Sequence, residues 1–303
     1  MSSDFTAHAK AILIGEHAVV YGADALSVPL TSLTLTARVE ADPAGPTLNT
    51  EGYCGDFDEA PQLFSGIRFL FTELVEKPGR DTRVRLTFDS HIPMARGLGS
   101  SAASALATIR ALNSYYGLNL SEPEIISLGN RAEDIVHGKA SGLDLQTVNS
   151  DQLVSFNKES GFTHIPGNLD AWLVIADTGV EGSTKEAVAM VRDQRDSSPL
   201  MRHRLDELGT LSRRAKQAWN QKDSLQLGTI FDAAQEILVS FGISTSTIDK
   251  LVDVARDAGA LGAKLSGSGL GGVVIALANT RELAHNVAQA LRPHAHGVWV
   301  EQL

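Results

Sequence analysis

Four stretches of this chain hold residue types whose spacing could do chemistry. Glu133 and His137 stand four apart in NRAEDIVHGKASGLD, so on a helix they share a face, and Asp144 follows seven residues later. A carboxylate such as Glu133 suits a hard cation such as Mg²⁺, and Asp144 could accept a proton from a hydroxyl. The run GLGSSAASALATIRAL, Gly97 to Leu112, sets two glycines and two serines ahead of an alanine-rich segment. A helix start has unpaired N–H groups and partial positive charge, and small residues there let an anion approach. Lys10 precedes the apolar run AILIG, and Gly15-Glu16-His17 turns the chain. KLSGSGLGG, Lys264 to Gly272, has four glycines among nine residues, a conformational cost that a ligand or close backbone packing would explain. Each stretch alone also has a plain reading: a serine-capped helix after a glycine turn, a solvated Glu with a turn Asp, an exposed lysine, a tight turn between strands. Together, two glycine loops, two carboxylates and a lysine suit phosphoryl transfer, which needs phosphate cradles, a metal and positioned charge.

The elements that must hold these residues can be read from periodicity. LTLTARVE, Leu33 to Glu40, and VRLTFD, Val84 to Asp89, alternate apolar and polar and predict strands, and AILIG predicts a buried strand. Pro61 opens a predicted helix with Phe64, Ile67, Phe71 and Leu74 as its inner stripe. Ser121 and Glu124 form a capping box for a helix ending at His137, stopped by Gly138, with a loop carrying Asp144 beyond it. AWLVIAD, Ala171 to Asp177, predicts a strand. Helices follow over about 184–194, 200–220, 224–240 and 246–258, then a strand over Val273–Ala278. Asn279 and Glu282 cap a last helix, and HGVWVEQL predicts a final strand. GFTHIPGN supplies turn residues at a seam, dividing the chain into an N-terminal ATP-binding part, 1–160, and a C-terminal part, 161–303. The class is α+β in two parts.

Composition narrows the function. The 303 residues are 43% hydrophobic with a formal net charge of -10, which opposes non-specific nucleic-acid binding but not a small anionic substrate. The single cysteine, Cys54, excludes an intramolecular disulfide and a four-cysteine zinc site. MSSDFTAHAK has no apolar stretch of the secretory kind, and no uncharged run approaches the roughly 18 residues of a membrane helix. A cytoplasmic protein without a membrane or nucleic-acid partner is expected, and a homodimer is compatible with these features. GLGSSA and GSGLGG both fit dinucleotide fingerprints, but the second runs into the predicted strand VVIALA. The first is separated from VRLTFD by SHIPMAR, and another helix follows where the second strand should lie. A Rossmann dehydrogenase is therefore disfavoured, and no G-x-x-x-x-G-K-[ST] loop occurs.

PMARGLGSSAA, Pro93 to Ala103, resembles the phosphate loop of the superfamily named for galactokinase, homoserine kinase, mevalonate kinase and phosphomevalonate kinase, and KLSGSGLGG resembles its C-terminal glycine motif. Within it, KAILIGEHAVVYG, AEDIVHGKASGLD and DTGVEGSTKEAV are similar to the mevalonate kinase branch, in that branch's order along nearly the whole chain. The resemblance implies an N-terminal domain like ribosomal protein S5 domain 2, a ferredoxin-like C-terminal domain, and an active site in the cleft between them. It implies ATP- and Mg²⁺-dependent phosphorylation of the C5 hydroxyl of mevalonate. Asp144 would be the catalytic base and Lys10 its partner in acidifying the hydroxyl. Arg96, Gly97, Leu98, Gly99, Ser100, Ser101 and Ala102 would wrap the ATP phosphates, with Gly267, Ser268 and Gly269. Ser101 and Glu133 would hold Mg²⁺, and Glu16, His17 and Thr184 would lie near the acceptor.

Two departures stand out. The loop reads Lys139-Ala140-Ser141-Gly142 where the branch usually has proline before the serine, and Ser266 and Ser268 stand where threonine and alanine are usual. The acceptor carboxylate needs a cation; Lys158, after LVSF, is one candidate, against a solvated surface lysine. Phosphomevalonate kinase and diphosphomevalonate decarboxylase are rivals within the superfamily. A catalytically silent metabolite sensor would be expected to lose Asp144, Lys10 or Glu133, and all three are present.

Overall fold

Alternation and capping set the elements of this chain, which a computed structural model describes over residues 2–138 and 141–303. Two units carry them. The first comprises residues 1–9, 33–94 and 99–149, and the second 10–32, 95–98 and 150–303. Strands β1 (Ser2–Ile14) and β2 (Ala25–Ala41) each pass from one unit into the other.

In the first unit, β3 (Thr47–Thr50) and β4 (Tyr53–Asp56) form a hairpin, and helix α1 (Ser65–Leu74) follows. Strand β5 (Val84–Ser90) pairs antiparallel with Leu35–Ala41 of β2 and parallel with β3. Helix α2 (Ser100–Tyr116) packs against α1, α3 (Glu122–His137) and the short α4 (Leu143–Val148). Ile67, Leu70, Phe71 and Leu74 are the buried stripe of α1, while Phe64 is only half-buried, in a 3-10 turn after Pro61. Phe71 stacks on Phe57 at 4.5 Å. The capping box at Ser121 and Glu124 forms as read, with Glu124 Oε2 accepting from Ser121 N at 2.8 Å and Ser121 Oγ at 2.6 Å.

The second unit holds β6 (Leu153–Asn157) paired with β7 (Gly161–Ile165) and with Ala25–Ser27 of β2. It continues through β8 (Trp172–Asp177), α5 (Thr184–Ser197), α6 (Pro199–Asn220), α7 (Ser224–Ser240) and α8 (Ser246–Asp257). Strands β9 (Gly262–Ser266) and β10 (Val273–Ala278), helix α9 (Arg281–Leu291) and β11 (Gly297–Gln302) complete it. The last four strands form an antiparallel sheet in the order β11-β8-β10-β9. Numbered within that sheet the order is 4-1-3-2, with helices in the first and third connections, which is the ferredoxin-like arrangement. Strands β9 and β10 are buried at every residue, with α7 and α8 against them, so their alternation is lost to continuous burial.

Three expectations shift. GFTHI is strand β7 rather than turn, because Phe162 stacks on Phe156 across the hairpin at 4.6 Å. The cap of α9 is Thr280, whose Oγ1 accepts from Leu283 N at 3.1 Å, one residue after Asn279. Asp144 lies in the first turn of α4 rather than in a loop, since left-handed Gly142 starts that helix. Among the described residues, no helix is long and apolar enough to cross a membrane.

Candidate functional site

Helix α2 begins without a side-chain cap: its N-cap is Gly99, in the left-handed region at φ 73°. The first-turn N–H groups have no capping side chain, which favours a negative group there. Gly97, two residues earlier, also has positive φ (76°), and a Cβ built on it would meet only Ser266 O, at 3.9 Å. Leu98 between them is buried, and its carbonyl accepts from Lys10 N at 3.0 Å. The loop is thus anchored by its leucine and left open at Gly97.

One turn into α2, Ser101 Oγ donates to Glu133 Oε1 of α3 at 2.5 Å. Glu133 is buried, with His137 Nε2 4.0 Å from its other oxygen. The pairing predicted from sequence for Mg²⁺ is therefore assembled within the first unit. The donor set fits that ion, which is held by one or two carboxylates and keeps water and phosphate oxygens around itself. Among the described residues no cluster of three or more His, Cys, Asp and Glu could hold a metal on its own. Asp144 is half-buried on α4, which packs against α2 and α3. Lys139 and Ala140, in the loop that departs from the family pattern, lie outside the described residues.

The second unit assembles the other predicted residues. Lys10 is 2% exposed, near the end of β1. Glu16 and His17 follow in the turn after that strand, His17 at φ 62°. His17 Nε2 donates to Ser268 O at 2.9 Å, so Nδ1 carries the lone pair. Burial lowers the His17 pKa, Lys264 lowers it further and the Ser268 carbonyl acts against both, so the ring is neutral at pH 7. Thr184 Oγ1 donates to Ser268 Oγ at 3.3 Å. The serine that replaces the usual alanine thus joins Thr184 and His17 through one residue. Ser266, in place of threonine, keeps a hydroxyl that accepts from Ile12 N at 3.1 Å and donates to Ile12 O at 2.9 Å.

Arg96 is committed more fully than the sequence suggested. Its Nε lies 2.9 Å from Oδ1 of buried Asp177, and Nη2 donates to Gly179 O at 3.3 Å. Only Nη1 has no hydrogen-bond partner among the described residues. Lys158 is exposed at the β6–β7 turn, as a solvated lysine would be. The sequence reading gave no role to Lys264 as the buried partner of Glu16, to which its Nζ donates. The only signal was a lysine inside an otherwise small and apolar strand.

Two family models match the chain: the GHMP kinases N terminal domain over residues 66–148 and the GHMP kinases C terminal domain over residues 200–296. The mevalonate kinase of Pyrococcus abyssi is 35% identical over 95% of this chain and 91% of that protein. A solved structure of L. major mevalonate kinase in complex with R-mevalonate superposes with a TM-score of 0.87 at 25% identity, covering 99% of this chain and 95% of that one. Mevalonate kinase from methicillin-resistant Staphylococcus aureus superposes with a TM-score of 0.78 at 30% identity, covering 100% of this chain and 99% of that one.

Proposed function

The chain belongs to the GHMP kinase family, and from that premise we propose that it phosphorylates the C5 hydroxyl of mevalonate with ATP. The observation that supports this most directly is the Ser101–Glu133 pair beside an uncapped glycine-flanked helix start. Amide-to-phosphate hydrogen bonds are charge-assisted and stronger than neutral ones, and residues 97–102 offer such amides along a loop left open at Gly97. Gly267, Ser268 and Gly269 are assigned to the same phosphates, and Arg96, held by Asp177 and the Gly179 carbonyl, is assigned with them.

Ser101 and Glu133 would hold Mg²⁺, which when bound offsets charge on the phosphate oxygens. Asp144 accepts the C5 hydroxyl proton. A carboxylate with a reference pKa of about 3.9 is a weak base toward an alcohol, so transfer occurs only as bond formation acidifies the hydroxyl. Lys10 stabilises the developing alkoxide, and Asp144 orients the nucleophile as much as it deprotonates it. His17, neutral and fixed through Nε2, offers Nδ1 as an acceptor to the bound acceptor molecule, with Thr184 hydrogen-bonded to the hydroxyl of the same serine.

A coupled assay of ADP release with mevalonate as sole acceptor tests this reading. Turnover with mevalonate and none with its phosphorylated forms is the expected result. Turnover only with phosphomevalonate would replace it with the neighbouring kinase activity.

A further inference from the structure

Burial of charge is costly unless the charge is paired, and the second unit buries one pair completely. Lys264, in the middle of β9, is 0% exposed. Its Nζ donates to Glu16 Oε1 and, at 2.6 Å, to Leu265 O, and lies 6.0 Å from the centre of the Phe231 ring. Glu16 is 4% exposed, and its Oε2 is buried with no hydrogen-bond partner among the described residues. A carboxylate so enclosed is poorly placed to touch an acceptor molecule.

The pair belongs to a regular set. Alternate positions of a strand share a side, so Lys264 and Ser266 of β9 reach to Glu16 and Ile12, and in the loop just after the strand the Ser268 carbonyl accepts from His17. These links pin the end of β1 and the Gly15–His17 turn to β9 and the loop after it. The serine and histidine links are neutral hydrogen bonds, and Lys264–Glu16 is the charged one.

We propose that Lys264 is a positioning residue for the phosphoryl transfer: its ammonium fixes Glu16, and through it the Gly15–His17 turn and the Ser268 carbonyl. Glu16 then acts through this buried link and not by contact with the acceptor. The proposal rests on the kinase reading above, and one of its measurements does not depend on that reading.

The test compares Lys264→Met, Glu16→Gln and the double variant in the full chain. Each is read by kcat and KM for mevalonate and ATP and by amide hydrogen exchange at residues 15–17 and 267–269. Lys264→Met is expected to lower kcat by about 10²-fold, the scale of an ångström misplacement of reacting groups, with faster exchange at both segments. Both KM values should stay within about threefold, since no substrate contact is removed. The double variant should be no slower than Lys264→Met, because the link is already broken there and neither partner is left as an unpaired buried charge.

A Lys264→Met enzyme with normal kcat and exchange overturns the proposal. So does a Glu16→Gln enzyme whose mevalonate KM rises strongly and is not relieved in the double variant, since that marks Glu16 as an acceptor contact. If Lys264→Met does not fold, the Glu16→Gln and double variants still decide. If the wild type does not phosphorylate mevalonate, the kinase reading fails and exchange alone decides: unchanged exchange in the variants overturns the pin.

Discussion

The two glycine loops look alike as strings of letters but differ in what their glycines are for. At Gly97 a Cβ would meet only Ser266 O, at 3.9 Å, and the helix start and the Ser101–Glu133 pair follow within a few residues. At Gly269 a Cβ would stand 2.5 Å from Ile243 O, at a φ of 84°, so the residue is glycine because another backbone passes there. The first loop leaves room for a ligand at Gly97; the second leaves room at Gly267 but is pressed against the protein at Gly269 and fastened at Ser268 by His17 and Thr184. The helix start thus combines an open glycine with a serine–carboxylate pair whose carboxylate is buried, while the Ser268–Gly269 part of the second loop is held by its neighbours.

Substitutions can break or sharpen this contrast. The largest effect is expected at Asp144, on the chemical side. Asp144→Asn should lower kcat by at least about 10²-fold, the low end of general-base effects, with ATP affinity and the unfolding midpoint little changed. Near-normal turnover in the folded variant would remove Asp144 from the mechanism.

Next come the glycines themselves. Gly269→Ala combines a left-handed residue with a backbone clash and should cost at least about 2 kcal/mol of stability in urea unfolding. Gly97→Ala should cost only the left-handed strain, about 1 kcal/mol, and instead raise the KM for ATP. Equal stability losses at the two positions would erase the distinction.

Glu133→Gln keeps the shape of the pair and removes its charge, and should raise the Mg²⁺ concentration for half-maximal activity by about tenfold. An unchanged Mg²⁺ titration would count against Glu133 as a ligand.

The smallest effect is a pH slope from the fastened side. Burial depresses the His17 pKa, so the unfolded chain takes up its proton at about pH 6.5 while the folded chain resists. The unfolded state binds more protons in the window below about 6.5, so this contribution is complete above that pH and is lost as pH falls toward the folded value. The slope is at most about 1.4 kcal/mol per pH unit for one proton. Urea midpoints at pH 7.5 and 5.5 should converge for His17→Asn relative to wild type; parallel slopes would mean that His17 is not held neutral.

Local rules carried much of this molecule. The Ser121–Glu124 capping box fixed α3, and the helical periods over 184–257 located four helices to within a few residues. The misreadings have physical causes. The first nine residues of β1, ahead of AILIG, carry only a weak period-two signal because their inner side is formed partly by small Ala7 and Ala9. The cap of α9 fell on Thr280 because the hydroxyl one residue later reaches the Leu283 amide. The Ser101–Glu133 pairing could be guessed from the family pattern across 32 residues of chain. Lys264 and Glu16 lie 248 residues apart, and no periodicity couples positions at that range.

One feature of α2 reaches further than packing. The helix is largely alanine where it is buried, at positions 102, 103, 105, 107 and 111. Short methyl side chains leave neighbouring helices to approach almost backbone to backbone, with little slack for rotamers to absorb a change. The orientation of its first amides is thereby inherited from the spacing of main chains. Adding even one methylene group deep in this helix would be felt several turns away, where the phosphates are proposed to sit, so tolerance to mutation here should be governed by volume before polarity.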